Sequence, residues 1–201
     1  MLKKNLRNSL LLSALSFSSI AEEGLKLSDK WAQVTNRPSF VSNEGQLIIP
    51  IPYPEIQILA AELEKRDGTK LVPQQQGHLK VVTNSEWRIL NQRLSMDDLE
   101  KLATKYSMMK MTFTPKCLAK VEVVIREKRD HSWVVVGAAD EVMQLRREIW
   151  RFYMTKGGAG PEFQWKKWHP VVTVASTTSN FDDDLSYREK PVCAIVLTMT
   201  P

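Results

Sequence analysis

The chain has 201 residues, 43% of them hydrophobic and 25% charged, enough to bury a sizeable core in one ordinary domain. Eight glycines and ten prolines exclude a collagen-like or low-complexity chain, and two cysteines exclude a disulfide-dense scaffold. The formal charge of +5 is gathered in places: residues 1–21 carry +3, 22–109 carry −1, 110–170 carry +5 and 171–201 carry −2. The basic excess of the body is therefore regional.

Residues 1–21 begin with Lys3, Lys4 and Arg7, continue through an apolar, serine-containing stretch from Ser9 to Ile20, and hold no acid. Ser19 and Ala21 are small residues placed for a cut before Glu22. This is the pattern of a secretory signal peptide. An organellar presequence and a retained N-terminal helix stay open as alternatives. Removal of this leader places the mature chain in the periplasm or envelope; otherwise it is intracellular, organellar or virion-borne. No apolar run reaches the roughly 18 residues that a membrane-spanning helix requires, so the mature chain is expected to hold none.

Residues 22–53 read as an extended arm, with Arg37-Pro38 and Asn43-Glu44-Gly45 as breakers. Leu47–Ile51, hemmed by Pro50, Pro52 and Pro54, is expected as an edge strand at best. Residues 54–201 read as a single α+β domain. Pro54 suits the first turn of a helix with an Ile56, Leu59 and Leu63 stripe that closes at Asp67-Gly68. Short strands are expected at Lys70–Val72 and His78–Val82. Thr83-Asn84-Ser85-Glu86 forms one capping box and Ser95-Met96-Asp97-Asp98 another. The first helix buries Trp87, Leu90 and Leu94; the second buries Leu99, Leu102, Tyr106 and Met109.

From Lys110 the apolar period shifts to alternation. Strands are expected at Met111–Thr114, Ala119–Glu127 and Ser132–Gly137, the last two forming a hairpin through Glu127–His131. Asp140 caps a helix to about Thr155, with Val142, Leu145, Ile149 and Phe152 on its core face. Phe163–Ser176 and Val192–Thr200 complete the set, the latter apolar enough to suggest burial on both faces. The fold class expected is α+β, an antiparallel sheet of about five strands with helices mainly on one side.

The three histidines, His78, His131 and His169, sit beside turns, and no nucleophile elbow or spaced metal-ligand motif occurs. Asp182-Asp183-Asp184 reads as a solvated acidic tip, and Lys156–Pro161 as a helix stop. Hence no catalytic residues, metal ligands or cofactor are assigned. Cys117 and Cys193 are expected as buried thiols, with one disulfide as the alternative for an exported chain.

The strongest functional signal lies in 110–170, which holds four of the six tryptophans along with the +5 charge. Arg146, Arg147, Trp150 and Arg151 cluster on one helix. Trp165, Lys166, Lys167 and Trp168 cluster at the entry to a strand, where alternation puts Trp165 and Lys167 on one face. Cations set among aromatic rings suit nucleic acid or an acidic protein surface. The same residues equally suit a core overlaid by snorkelling cations. The functional expectation is a non-enzymatic structural or assembly protein in a ribonucleoprotein or virion-type shell. Its partners are other protein subunits or itself, with RNA contact left open. The alternative is an exported envelope interaction protein without a nucleic-acid role.

Overall fold

A computed structural model describes residues 24–31, 39–41, 45–75, 77–107, 111–125, 128–178 and 191–199 (backbone alone for 39–41, 107, 123–125 and 128–129). The leader, Met109, Arg126-Glu127 and the acidic tip at 182–184 lie outside these residues.

Two long strands, β6 (Thr114–Ile125) and β7 (Lys128–Ala138), form the central hairpin. Its turn is tighter than the sequence suggested, because Ile125 already pairs with Lys128. β8 (Val171–Ser176) flanks β7, and β9 (Cys193–Met199) flanks β6, both antiparallel. Beyond β8 come β5 (His78–Val82), β3 (Gln46–Pro50) and β2 (Ser39–Val41). β4 (Val72–Pro73) pairs with the far end of β8, and β1 (Leu25–Leu27) pairs with β9 in parallel.

The α+β class holds, but among the described residues the sheet has nine strands rather than about five and is mixed rather than antiparallel. Much of the difference comes from the N-terminal stretch expected as an extended arm with at best an edge strand at Leu47–Ile51, since β1 and β2 lie within it alongside β3. β3 is also no edge: it sits between β5 and β2. Pro50 is tolerated because it is the terminal residue of that strand, where a missing N–H does not interrupt the ladder.

The helices follow their sequence signals closely. α1 (Tyr53–Asp67) starts with Pro54 in its first turn, buries Ile56, Leu59 and Leu63, and ends at Gly68, whose φ of 66° is a left-handed cap that favours glycine. α2 (Asn84–Leu90) carries the complete Thr83–Glu86 capping box. α3 (Met96–Ser107) opens on a second reciprocal cap: Asp98 N–H donates to Ser95 Oγ, and Ser95 N–H donates to the Asp98 carboxylate.

α4 (Asp140–Thr155) begins at Asp140, but the cap position is Ala139; Asp140 is its first helical residue, where a carboxylate still favours the positive end of the helix dipole. Val142, Leu145, Ile149 and Tyr153 are fully buried along it. Phe152, expected inward, is half-buried, and Tyr153 takes the inner place.

Three strand expectations change. Residues 111–113 precede β6 without joining it, although Met111 and Phe113 are buried. The stretch from Phe163 is not strand until Val171: Trp165–Lys167 is a short 3-10 turn. β9 is not buried on both faces either, since Ile195 and Leu197 point inward while Val196 is 66% exposed. β9 thus shows the in/out alternation of a strand packed on one face only.

Cys117 and Cys193 are disulfide-bonded between β6 and β9, with Cα atoms 5.6 Å apart. This replaces the expected pair of free thiols. The register explains it: Cys117 lies opposite Val196, and the bulge between Leu118 and Ala119 brings Cys193 alongside.

A basic-aromatic groove as the candidate functional site

The eight basic and aromatic residues singled out in the sequence divide into two groups. Arg146 and Trp168 are core residues, which corrects their assignment to a binding face. Arg146 is 0% exposed and Trp168 4%. The Arg146 guanidinium makes a two-pronged pair with Glu86, at 3.0 and 2.6 Å, and donates to the Val81 carbonyl at 2.5 Å. It lies 4.8 Å from the Phe163 ring centroid and 5.3 Å from that of Trp168. The Trp168 indole N–H donates to the Lys80 carbonyl at 2.9 Å. A buried guanidinium needs a carboxylate and several acceptors; here Nη1 and Nη2 have them, while the buried Nε has no hydrogen-bond partner.

The reason for Arg146 is visible in its spacing. Positions 142, 145, 146, 149 and 153 form one i, i+3, i+4 stripe, so Arg146 belongs to the inner face of α4. For Trp168 the reason is the 3-10 turn, which breaks the alternation assumed for a strand and rotates this indole inward.

The other six residues, Arg147, Trp150, Arg151, Trp165, Lys166 and Lys167, line one open groove of about 720 Å³ between α4 and the 160–167 segment. Arg147, Arg151, Lys166 and Lys167 are exposed, while Trp150 and Trp165 are half-buried. Gly160, Phe163 and Gln164 complete the lining. Phe163 is fully buried and forms the groove's floor, backed by Arg146. Sequence reading missed these three because it placed Phe163 in a strand; the Gly160-Pro161 break was the available signal.

Local contacts fix the groove walls. The Trp150 indole N–H donates to the Gly160 carbonyl at 3.3 Å, tying the helix to the facing segment. Glu162 accepts from the Tyr153 hydroxyl and, at 3.0 Å, from the Ala159 N–H. The Tyr153 hydrogen bond, then that of Ala159, holds the Glu162 carboxyl below its usual range; the same bond to Glu162 and burial push Tyr153 up.

The cations are arranged around rings. Arg147 stands 6.0 Å and Lys166 5.4 Å from the Trp165 centroid, so one indole carries two positive charges beside it. Arg151 is partly neutralised by Glu148 at 2.6 Å. Arg147, Lys166 and Lys167 thus supply most of the groove's available positive potential.

Volume does not single this groove out, since clefts of about 740 and 670 Å³ open beside α1. Sign does. The first of those mixes Glu64 with Lys65 and Lys70, and the second mixes Glu55 and Glu62 with Lys26, Lys65 and Arg66. Every charged residue lining the 720 Å³ groove is cationic. Among the described residues no cluster of three metal-ligating side chains occurs, and no helix is long and apolar enough to cross a membrane. No family model, curated protein or solved structure matches the chain.

Proposed function

We propose that this chain is a non-enzymatic interaction protein, a subunit of a larger assembly, that holds an anionic partner in the groove between α4 and the 160–167 segment. One observation carries the reading: six residues from two separate clusters converge on a single groove whose charged lining has one sign. Such a lining attracts an anion, and the partly covered indoles offer apolar anchors for the rest of the ligand. The lining contains arginine, lysine, glutamine and aromatic side chains, a set suited to holding an anionic, partly apolar ligand.

The Cys117–Cys193 bond supports an exported setting, because disulfides persist in oxidising compartments. The signal-like residues 1–21 support the same placement. Of the two settings drawn from the sequence, the envelope or periplasm is therefore the one we adopt, with an acidic protein surface as the partner. RNA contact is the competing reading, favoured by cations seated beside indole rings.

Fluorescence anisotropy of the full chain with a labelled oligo-glutamate peptide and with a labelled single-stranded RNA separates the two. The peptide is expected to bind more tightly, with an affinity that falls as salt rises. The joint variant Arg147→Gln, Arg151→Gln, Lys166→Gln, Lys167→Gln is expected to lose it. Equal peptide binding by that variant rejects the groove as the site; preferential RNA binding that the variant loses installs the competing reading.

A further inference from the structure

We infer that the element held in this groove is an acidic peptide segment with an aromatic side chain within one or two residues of its carboxylates. The inference rests on the groove holding an acidic protein, as argued above, and adds the side chain that fills it. Of the nine residues that line the groove, four are cations, three are aromatic and none is acidic. Their depths differ. Arg147, Lys166 and Lys167 stand exposed at the rim, Trp150 and Trp165 are half-buried inside it, and Phe163 closes the floor. Charge around an aromatic centre is the arrangement of an interface whose energy comes from one apolar anchor ringed by polar contacts. The clefts beside α1 lack that centre: Trp31 is the one aromatic residue lining either, and it is 1% exposed.

Neither half of that chemistry suffices alone. A purely acidic strand would neutralise the rim and leave both indoles in water. A purely apolar one would cover the cations and give them no counter-charge, which costs desolvation without return. Spacing then fixes how close the two halves of the ligand lie. Arg147 is 6.0 Å and Lys166 5.4 Å from the Trp165 ring centroid. An extended peptide advances at most about 3.6 Å per residue, so its carboxylate and its ring belong to adjacent or next-but-one residues. The interior suits an apolar side chain because polar groups of its wall face one another. The Trp150 indole N–H donates to the Gly160 carbonyl at 3.3 Å, and Gln164 Nε2 donates to the Pro161 carbonyl at 3.2 Å. Those bonds, with the Glu162 bridge to Tyr153 and Ala159, fix both walls without a ligand. A preformed site loses little ordering entropy on binding, and indole walls suit a further ring in offset or edge-on contact.

Fluorescence anisotropy of the full chain with three labelled peptides of equal charge tests this. One is six glutamates; the second has a tryptophan at the centre of the six; the third carries that tryptophan at one end, behind a six-residue glycine–serine spacer. The central-tryptophan peptide is expected to bind at least about tenfold more tightly than the other two. Trp165→Ala should bring the three to within about twofold of one another, whereas Trp165→Phe, which keeps a ring, should retain most of the preference. The wild-type comparison decides by itself, so the test does not depend on either variant folding. Equal binding of all three peptides overturns the inference, as does a preference that Trp165→Ala leaves intact. Equal affinity for the spacer peptide overturns the close spacing of ring and acid. In each of these cases the proposed function stands as long as the six-glutamate peptide binds and the joint cation variant loses it. Failure of every acidic peptide to bind overturns the proposed function as well.

Discussion

Arg146 and Glu86, sixty residues apart, form an ion pair whose arginine is sealed from solvent and whose glutamate also caps a helix. Glu86 accepts from the Thr83 N–H at 3.0 Å while it holds both terminal nitrogens of Arg146. One carboxylate therefore joins the start of α2, the end of β5 and the inner face of α4. The same guanidinium backs Phe163, the floor of the groove.

Replacing Arg146 is accordingly expected to destabilise the fold, not merely to weaken binding. Arg146→Ala should cost about 3 kcal/mol in urea unfolding, the lower end for breaking a buried pair, because Glu86 keeps 23% exposure and regains some water. Arg146→Lys should recover little, since an ammonium cannot reproduce the two-pronged geometry. A variant as stable as the wild type would remove Arg146 from the core role given to it.

Trp168 separates a core residue from an interface residue in the same way. Trp168→Ala removes a buried indole and its bond to the Lys80 carbonyl, a loss of about 3–5 kcal/mol. Trp165→Ala, at the half-buried lip of the groove, should cost much less stability and weaken anion binding instead. Thermal unfolding and peptide anisotropy on the two variants should therefore rank them in opposite orders.

The Cys117–Cys193 bond closes a stretch of 76 residues. Loop-closure entropy for that separation is roughly 4.5 kcal/mol, so Cys117→Ser with Cys193→Ser should lower the denaturation midpoint substantially. A reductant should lower the wild-type midpoint and leave that of the variant unchanged. Free thiols in the non-reduced native protein would contradict the pairing.

Asp67, at the C-terminal end of α1, receives Lys120 Nζ and His131 Nε2, each at 2.8 Å, and so ties the helix to the central hairpin. Burial alone would raise its carboxyl. Hydrogen bonds from Lys120 and His131, with their charges, outweigh that and hold it below its ordinary 3.8. The folded state thus prefers the ionised form, and the stabilisation is fully present above the ordinary value and lost as pH falls through the lowered one. Wild type should exceed Asp67→Asn in stability near neutral pH, and the gap should close as pH drops below 3.8. A gap that stays constant through that range would show that Asp67 contributes nothing through its charge.

Periodicity, caps and breakers placed most of the local structure: α1 with its Gly68 stop, the two reciprocal caps, β5, the β6–β7 hairpin and α4. These are short-range effects, in which each residue's preference is set by neighbours within a few positions. Sequence also marked both clusters from which the groove is built, because charge and aromaticity are properties of residue type. Tertiary contacts decided the rest. They drew three N-terminal strands into the sheet, paired Cys117 with Cys193, and turned Arg146 and Trp168 inward while leaving Arg147 and Trp165 at the surface. A side chain's solvation depends on partners such as Glu86 and Lys80, sixty to ninety residues away, and no local pattern encodes which distant acceptor will be waiting.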